Sequence, residues 1–335
     1  MKMQMRVALA AVLASAAGAA VAQSSVTVYG VVDTAIGRLY SSEASVNMLS
    51  SYTGTTQLGF RGSEDLGHGL KLNFQLEAAG MDSSNGDWKD GFKRQSWVGL
   101  SGGFGSFMMG RTTTPQNRIM GTFDLNGTAA SSALAALKIG ANGSFLGSRQ
   151  SNQVQYATPN WGGFQARVAY GFSESAGENS SKNFMQLAAS YKTGGWTVGA
   201  AFQPKNYALQ AKAGHADVRN GYALGAKYDF EVAVASLIYT RDESRKTGDG
   251  FGVGVAVPMG AVTVGAQFAR ITKAKGRDGA KLAHQGANAY ELFANYSVSK
   301  RTALYASYGS VNSKAETAFK LLRDNTAAMG VTHKF

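Results

Sequence analysis

From Gln23 onward the chain alternates apolar and polar residues in one segment after another. Leu70, Leu72, Phe74 and Leu76 alternate with Lys71, Asn73, Gln75 and Glu77. Phe164, Ala166, Val168, Tyr170 and Phe172 alternate with Gln165, Arg167, Ala169 and Gly171, and Trp196, Val198, Ala200 and Phe202 with Thr197, Gly199, Ala201 and Gln203. Tyr290, Leu292, Ala294 and Tyr296 do the same against Ala289, Glu291, Phe293 and Asn295. Side chains on a strand point to opposite faces in turn, so each segment is a ribbon with one apolar and one polar-or-small face. The pattern predicts sixteen strands: 25–39, 55–65, 69–79, 92–101, 104–111, 149–159, 163–172, 182–193, 196–204, 219–230, 231–240, 249–258, 261–270, 287–297, 300–311 and 324–335. Segments 104–111 and 231–240 alternate least clearly.

Period two alone fits a soluble sandwich as well as a membrane barrel. Three features favour an all-β, transmembrane antiparallel β-barrel of 16 strands. Segments run to about ten residues, the length of a tilted strand crossing a bilayer, whereas strands in globular proteins average nearer five or six. Short turns (Leu66–Gly69, Gly102–Gly103, Trp161–Gly163, Gly194–Gly195, Pro258–Gly260) alternate with long polar connections. Tyr170, Phe172, Trp196, Tyr228, Phe230, Tyr296 and Tyr308 gather near the ends of the apolar faces, where an interfacial girdle belongs. An even strand number puts both termini on the periplasmic side, and sixteen strands leave an aqueous channel rather than a packed core.

One connection stands apart. Between Arg111 and Arg149 strand period disappears and Gly, Ser, Thr and Asn are dense. Loops of that length inside a tight β pattern are functional or disordered. The expectation is that 112–148, the third long extracellular loop, folds into the lumen and sets the width and charge of the hole. Ser132–Lys138 (SALAALK) reads as a short helical turn within it. The loop holds one acid, Asp124, against Arg118 and Lys138.

The ends and the composition fix the compartment. Met1–Ala22 has a basic start (Lys2, Arg6), an apolar run and an A-x-A site at Ala20–Ala22, the marks of a cleaved secretory signal peptide. Residues 23–335 are then a single exported β-barrel domain. After residue 22 no apolar run approaches the ~20 residues of a spanning helix. The formal charge is +12, with Lys2 and Arg6 in the leader, and there is no Cys. A basic balance suits nucleic acid, an anionic surface or anionic solutes; export speaks against nucleic acid. Without Cys there is neither a disulfide framework nor thiolate chemistry.

With this in place the chain resembles a Gram-negative general (diffusion) porin of the neisserial and beta-proteobacterial type. SSVTVYGVVDTAIG (24–37), LGFRGSEDLGHGLK (58–71), SWVGLSGGFGSFMMGR (96–111), NQVQYATPNWGGFQARVAYGF (152–172) and the ending VTHKF carry the likeness in order and spacing. The resemblance implies a homotrimer in the cell outer membrane with one pore per subunit, set among lipid and lipopolysaccharide. It implies passive diffusion of small hydrophilic solutes and ions. It also implies a terminal strand, closed by Phe335, read by the outer-membrane assembly machinery. In the family a ladder of basic residues faces the third loop; Arg94 and Arg149 fall on it, Arg61 lies adjacent and Arg111 opens the loop.

Parity adds to this. Leu58 and Phe60 face lipid, so Arg61 faces in; Trp97 is assigned to lipid, so Arg94 faces in; Val154 and Tyr156 face lipid, so Arg149 faces in. Lys71 and Arg167 are inward by the same rule, and Asp33, Arg38, Arg118 and Lys138 are further candidates for the lumen wall. Arg61, Arg94, Arg111, Asp124 and Arg149 are therefore the expected constriction residues. Two unit charges 10 Å apart at an effective dielectric of ~20 interact by about 1.7 kcal/mol, and rings of Arg or Lys are a general device for anion pores. The expectation is anion preference, because the loop offers a single acid, Asp124, against several uncompensated arginines.

Rival readings leave specific traces. Gly99–Gly103 formally matches G-x-S-x-G, but that motif needs a strand–turn–helix elbow and a strand-like segment follows. The four His lack the spacing of a triad or metal cage, and no cofactor or metal is expected. A substrate-specific porin would carry an aromatic slide in the lumen; parity turns only Phe293 and Tyr29 inward. An adhesin barrel would be plugged, whereas inward Gly199, Gly252 and Gly254 are expected to leave room for water.

Overall fold

A computed structural model of the chain describes residues 25–78, 80–142, 147–172, 183–204, 220–242, 248–274 and 281–335. The leader assigned to 1–22 lies outside them. The strands are β1 (Ser25–Arg38), β2 (Asn47–Ser50), β3 (Gln57–Gly67), β4 (Leu70–Glu77), β5 (Gln95–Gly102) and β6 (Gly105–Thr113). Then come β7 (Arg149–Ala157), β8 (Phe164–Gly171), β9 (Phe184–Thr193), β10 (Trp196–Gln203), β11 (Gly221–Asp229) and β12 (Val234–Asp242). The wall is completed by β13 (Gly248–Met259), β14 (Val262–Lys273), β15 (Asn288–Ser297), β16 (Thr302–Val311) and β17 (Asn325–Lys334). From β3 to β17 each strand pairs antiparallel with the next, β2 and β3 both pair with β1, and β1 pairs with β17 from Val31↔Lys334 to Arg38↔Ala327, closing the sheet. Reciprocal backbone bonds between Gly30 and Phe335, each 3.1 Å, fasten the seam at the terminal residue.

All sixteen expected segments are strands, with ends within three residues of those drawn from periodicity. Seventeen pieces make a sixteen-stranded barrel because the second wall strand is broken. The lower half of β1 pairs with β3 (Ser25↔Ser63 to Val31↔Gln57) and its upper half with β2 (Thr34↔Ser50 to Gly37↔Asn47). Residues 51–56 leave the wall between them. Asp33 holds this break: its carboxylate accepts from Tyr52 N (2.7 Å), Gly54 N (2.9 Å), Thr53 Oγ1 (2.8 Å) and the Tyr305 phenol (2.9 Å). A stacked Tyr52–Tyr305 pair, ring centroids 6.1 Å apart, lies behind it.

Register assigns every face. Val28, Leu224, Leu292 and Met329 are 54, 55, 60 and 68% exposed, and the other large apolar strand residues on their side of the sheet follow suit. A water-soluble fold hides such a belt; a barrel in hydrocarbon shows it to lipid and has no open sheet edge to satisfy. Tyr170 and Phe172 (centroids 5.1 Å apart) sit on this face at one rim, and Trp196, Tyr228 and Phe230 at the other.

Inside, the third loop is pinned to one half of the wall. It begins with α1 (Pro115–Met120), started by Thr114, whose side chain accepts from Asn117 N, and by Pro115 in the first turn, a pairing that prepares a helix start. A turn of 3-10 helix over Gly121–Phe123 follows, then α2 (Ala133–Ala136), capped by Ser132. The last connection carries α3 (Ser313–Phe319). α1 lies on β8 to β11 and α2 on β14 to β16. Ile119, Met120, Phe123, Leu134, Leu137 and Ile139 are buried against inward Ala188, Ala201, Ala223, Ile238 and Ile271. Burying a side chain of this size stabilises by roughly 1.5–3 kcal/mol, so the loop has a core of its own within the lumen. Ile238 also explains the poor alternation of β12: its inward position is apolar because it packs under the loop, not against water.

The inward glycines serve this docking, which corrects the expectation that they make room for water. A Cβ on Gly225 would stand 2.3 Å from Phe123, one on Gly252 2.1 Å from Leu134, and one on Gly199 2.7 Å from Ile119. On Gly254 it would stand 3.0 Å from Leu125. These positions are sockets already filled by loop side chains.

Candidate functional site

With the loop fixed to β8–β16, the water-facing channel runs between the loop and the bare inner face of β1, β3–β7. The loop is tied by polar bonds as well as by its core. Gln116 N donates to Gln186 Oε1 (2.8 Å), Gly140 N to Thr240 Oγ1 (2.9 Å) and Leu125 N to Gln267 Oε1 (3.0 Å). Asn126 Nδ2 and Ser131 Oγ both donate to Glu291 Oε1 (2.7 Å each). At its tip Ala130 N donates to Tyr52 O (2.7 Å), so the 51–56 break forms a second inward element that meets the third loop.

On the bare wall the basic side chains have the following partners. Arg94 Nε donates to Glu77 Oε1 at 2.6 Å, and the two side chains are 17 and 7% exposed. Tyr29 OH donates to Glu77 Oε2 (2.8 Å), Gln75 Nε2 to Tyr29 OH (2.6 Å) and Trp97 Nε1 to Gln75 Oε1 (3.2 Å). Arg61 lies over the Tyr29 ring, 5.0 Å from its centroid. Arg149 reaches the Ser148 hydroxyl and Arg167 the Gln165 amide oxygen (3.0 Å). Lys71 pairs in register with Ser101 on the same inward row near the short turns.

Several assignments need correction. Gln75↔Trp97 and Phe74↔Val98 are cross-strand pairs, so Trp97 faces the lumen and Val98 faces lipid. Arg94 nonetheless points inward, because it precedes Gln95, where β5 begins, and folds back onto Glu77. Arg111 pairs with Ser96 on the face of Met109 and Phe107 and bonds Lys93 O and Ser151 Oγ at the loop rim, within electrostatic reach of Arg149. Arg38 stands in register beyond Ile36 on the outward face. Asp33 does face inward but is fully buried in the strand break rather than lining water. Asp124 is 7% exposed and turned to the wall, accepting from Gln267 Nε2 (2.9 Å), Asn126 N (3.1 Å) and Ser132 Oγ.

Of the loop cations, Arg118 is exposed and Lys138 lies over the Phe319 ring, 5.6 Å from its centroid, beside α3. Parity could have added two more. Lys192 and Lys227 occupy inward positions opposite Thr197, and Lys227 Nζ donates to Thr122 O (3.0 Å). Glu77 was missed as a site residue although its parity was plain, because only the fold brings Arg94 to it. The inward aromatics also number more than expected: Phe184, Trp97 and Tyr305 join Tyr29 and Phe293. Phe184, Phe293 and Tyr305 are buried, so they form no slide along the channel.

The resulting asymmetry is chemical. The four mid-barrel acids Asp33, Glu77, Asp124 and Glu291 are 0, 5, 7 and 1% exposed and each is hydrogen-bonded. Arg61, Lys71, Arg118 and Lys192 are exposed, and Arg149, Arg167 and Lys227 are half-buried. Among the described residues none of these seven has a carboxylate within 4.0 Å, whereas Arg94 has Glu77. Gly99–Gly103 is the end of β5 and its hairpin turn, with Ser101 accepting from Asn73 (2.9 Å).

Comparisons with known proteins agree with this architecture. A family model described as Gram-negative porin matches residues 8–316. Outer membrane porin protein 32 of Delftia acidovorans is 31% identical, over 96% of this chain and 94% of that protein. Major outer membrane protein P.IB of Neisseria meningitidis serogroup B is 27% identical, over 94% of this chain and 95% of its own length. The structure of an anion-selective porin from Comamonas acidovorans matches with a TM-score of 0.74 at 27% identity, covering 93% of this chain and 100% of that one. OmpF of Salmonella typhi, at 15% identity and a TM-score of 0.70, shares the fold.

Proposed function

The chain belongs to the Gram-negative porin family, and on that footing we propose that this outer-membrane diffusion channel passes small anions in preference to cations. The observation that carries the proposal is the disposition of charge: the four mid-barrel acids are withdrawn into hydrogen-bonded pockets while guanidinium groups remain in contact with lumen water. Arg149, Arg118 and Arg61 contribute most to the field, because none of them has a carboxylate within 4.0 Å among the described residues. Arg94 contributes less, since Glu77 lies against it. A charge in a narrow, low-dielectric channel acts on a passing ion far more strongly than the same charge on a surface. The likeness to the anion-selective porin from Comamonas acidovorans supports the same reading.

A homotrimer seated among lipopolysaccharide, delivered by the assembly machinery through the strand ending in Phe335, completes the proposal. So does a leader removed after Ala22, which N-terminal sequencing of the mature protein checks by finding Gln23 first. The selectivity is tested by single-channel conductance in planar bilayers. Replacing chloride by acetate at equal molarity lowers conductance more than replacing potassium by lithium. The reverse order would refute anion preference.

A further inference from the structure

On the bare wall, from the Arg94–Glu77 pair toward the short turns, β1, β3, β4 and β5 line an open niche of about 260 Å³. Its polar groups divide into those already committed and those still open. Gln75 is committed at both ends, to Tyr29 and to Trp97. The Trp97 bond to Gln75 pins the indole across the neighbouring strand, and Trp97 stays half-buried, so ring surface faces the niche. Arg61 is exposed and contacts the Tyr29 ring; its guanidinium donors have no protein acceptor among the described residues. Ser25, Thr27 and Ser63 bring hydroxyls to the same niche, and Asn73, whose amide nitrogen is bonded to Ser101, leaves its side-chain oxygen open.

We propose that this niche is a docking site for an acidic monosaccharide of the hexuronate class. Arg61 takes the carboxylate in a forked, charge-assisted pair. The Trp97 ring lies against the C–H face of the sugar, as aromatic side chains do with an amphipathic body. Ser25, Thr27, Ser63 and Asn73 meet its hydroxyls. The combination is more selective than a cationic wall alone: chloride or acetate uses only Arg61, and a neutral sugar uses only the rest. The proposal deepens the anion-passing reading and rests on it, because the niche is reached through the same lumen.

The test uses intrinsic fluorescence of the detergent-solubilised full-length barrel at low ionic strength. The four tryptophans are Trp88, Trp97, Trp161 and Trp196; Trp161 and Trp196 are 57 and 51% exposed on the outer side and Trp88 lies in a loop near Phe92. Sodium glucuronate is expected to produce a saturable change that persists in Trp161→Phe and weakens at least tenfold in Arg61→Gln, with partial rescue in Arg61→Lys. Glucose, acetate and benzoate at equal concentration are expected to act at least tenfold more weakly. In bilayers, glucuronate should interrupt the chloride current transiently, and Trp97→Ala should shorten those interruptions. The proposal is overturned if any of the three comparison solutes matches glucuronate, or if Arg61→Gln titrates like the unaltered protein. A channel that prefers cations yet shows the glucuronate signal would sink the selectivity reading alone; an anion-preferring channel without the signal would sink the niche alone.

Discussion

The side-chain nitrogen of Gln267 donates to the Asp124 carboxylate across 2.9 Å, from the barrel wall to the third loop. The same nitrogen donates to Glu291 at 2.6 Å. One amide thus holds two buried carboxylates away from the channel, and the loop's only acid becomes an anchor instead of a charge facing the arginines. The consequence for function is direct: the third loop presents Arg118 and neutral groups to a basic wall.

Asp124→Asn should therefore leave ion preference nearly unchanged, since the removed charge lies outside the water path. The asparagine oxygen can still accept from Gln267. Asp124→Ala removes the acceptor altogether and strands buried donors, at a cost of about 1–3 kcal/mol. Reversal potentials for the first variant and melting of the folded barrel for the second check both statements. A gain of anion preference in Asp124→Asn comparable to that of a throat residue would show that Asp124 faces the channel.

The glycine sockets make a steric prediction. In Gly225→Val the new side chain collides with Phe123, whose ring stands within 2.3 Å of a Cβ there. The loop must shift, so single-channel conductance changes and current noise rises. Phe123→Ala leaves the socket empty and should destabilise by about 3–5 kcal/mol. The double variant Gly225→Val/Phe123→Ala should recover much of the loss, because the valine refills the space. Absence of recovery would mean the two residues do not share a site.

The Arg94–Glu77 pair separates local from net charge. Glu77→Gln frees Arg94 and should raise anion preference; Arg94→Gln leaves a buried carboxylate and should lower it and destabilise the wall. Losing one partner of a buried pair costs about 3–5 kcal/mol when the other stays charged. The double variant should return close to the original preference. Zero-current potentials of the three variants measure the sign of each step.

Asp33→Ala tests the broken strand. Five donors, from Tyr52, Thr53 (backbone and hydroxyl), Gly54 and Tyr305, lose their acceptor at once. The expected outcome is a thermal stability loss of at least about 2 kcal/mol with more rapid proteolysis in 51–56. Unchanged stability would show that the break holds itself.

Most of the wall was legible from period two, because each ribbon meets lipid on one side and water or loop on the other. The exceptions follow from where that rule stops applying. Asp33 and Arg38 are an odd number of residues apart on one strand, so both could not face the lumen; β1 sends Asp33 in and Arg38 out. Trp97 misled because an aromatic on a barrel strand suits lipid equally well, and its side follows only from the register with Gln75, to which it is also bonded. β2 is four residues long and carries no period of its own. The glycine sockets and the burial of Asp124 depend on loop residues far away in sequence, which local pattern does not encode. Thr114–Pro115 was a readable helix start that passed unnoticed beside the more obvious SALAALK.

The central claim is that withdrawn acids and open guanidinium groups give this channel its preference. Its most direct test is the zero-current potential of purified protein across a potassium chloride gradient in a planar bilayer. The dilute side should become negative, the potential should shrink as both salt concentrations rise and screening shortens, and Arg149→Gln should diminish it. A positive dilute side, or a potential untouched by Arg149→Gln and Arg61→Gln together, would contradict the claim.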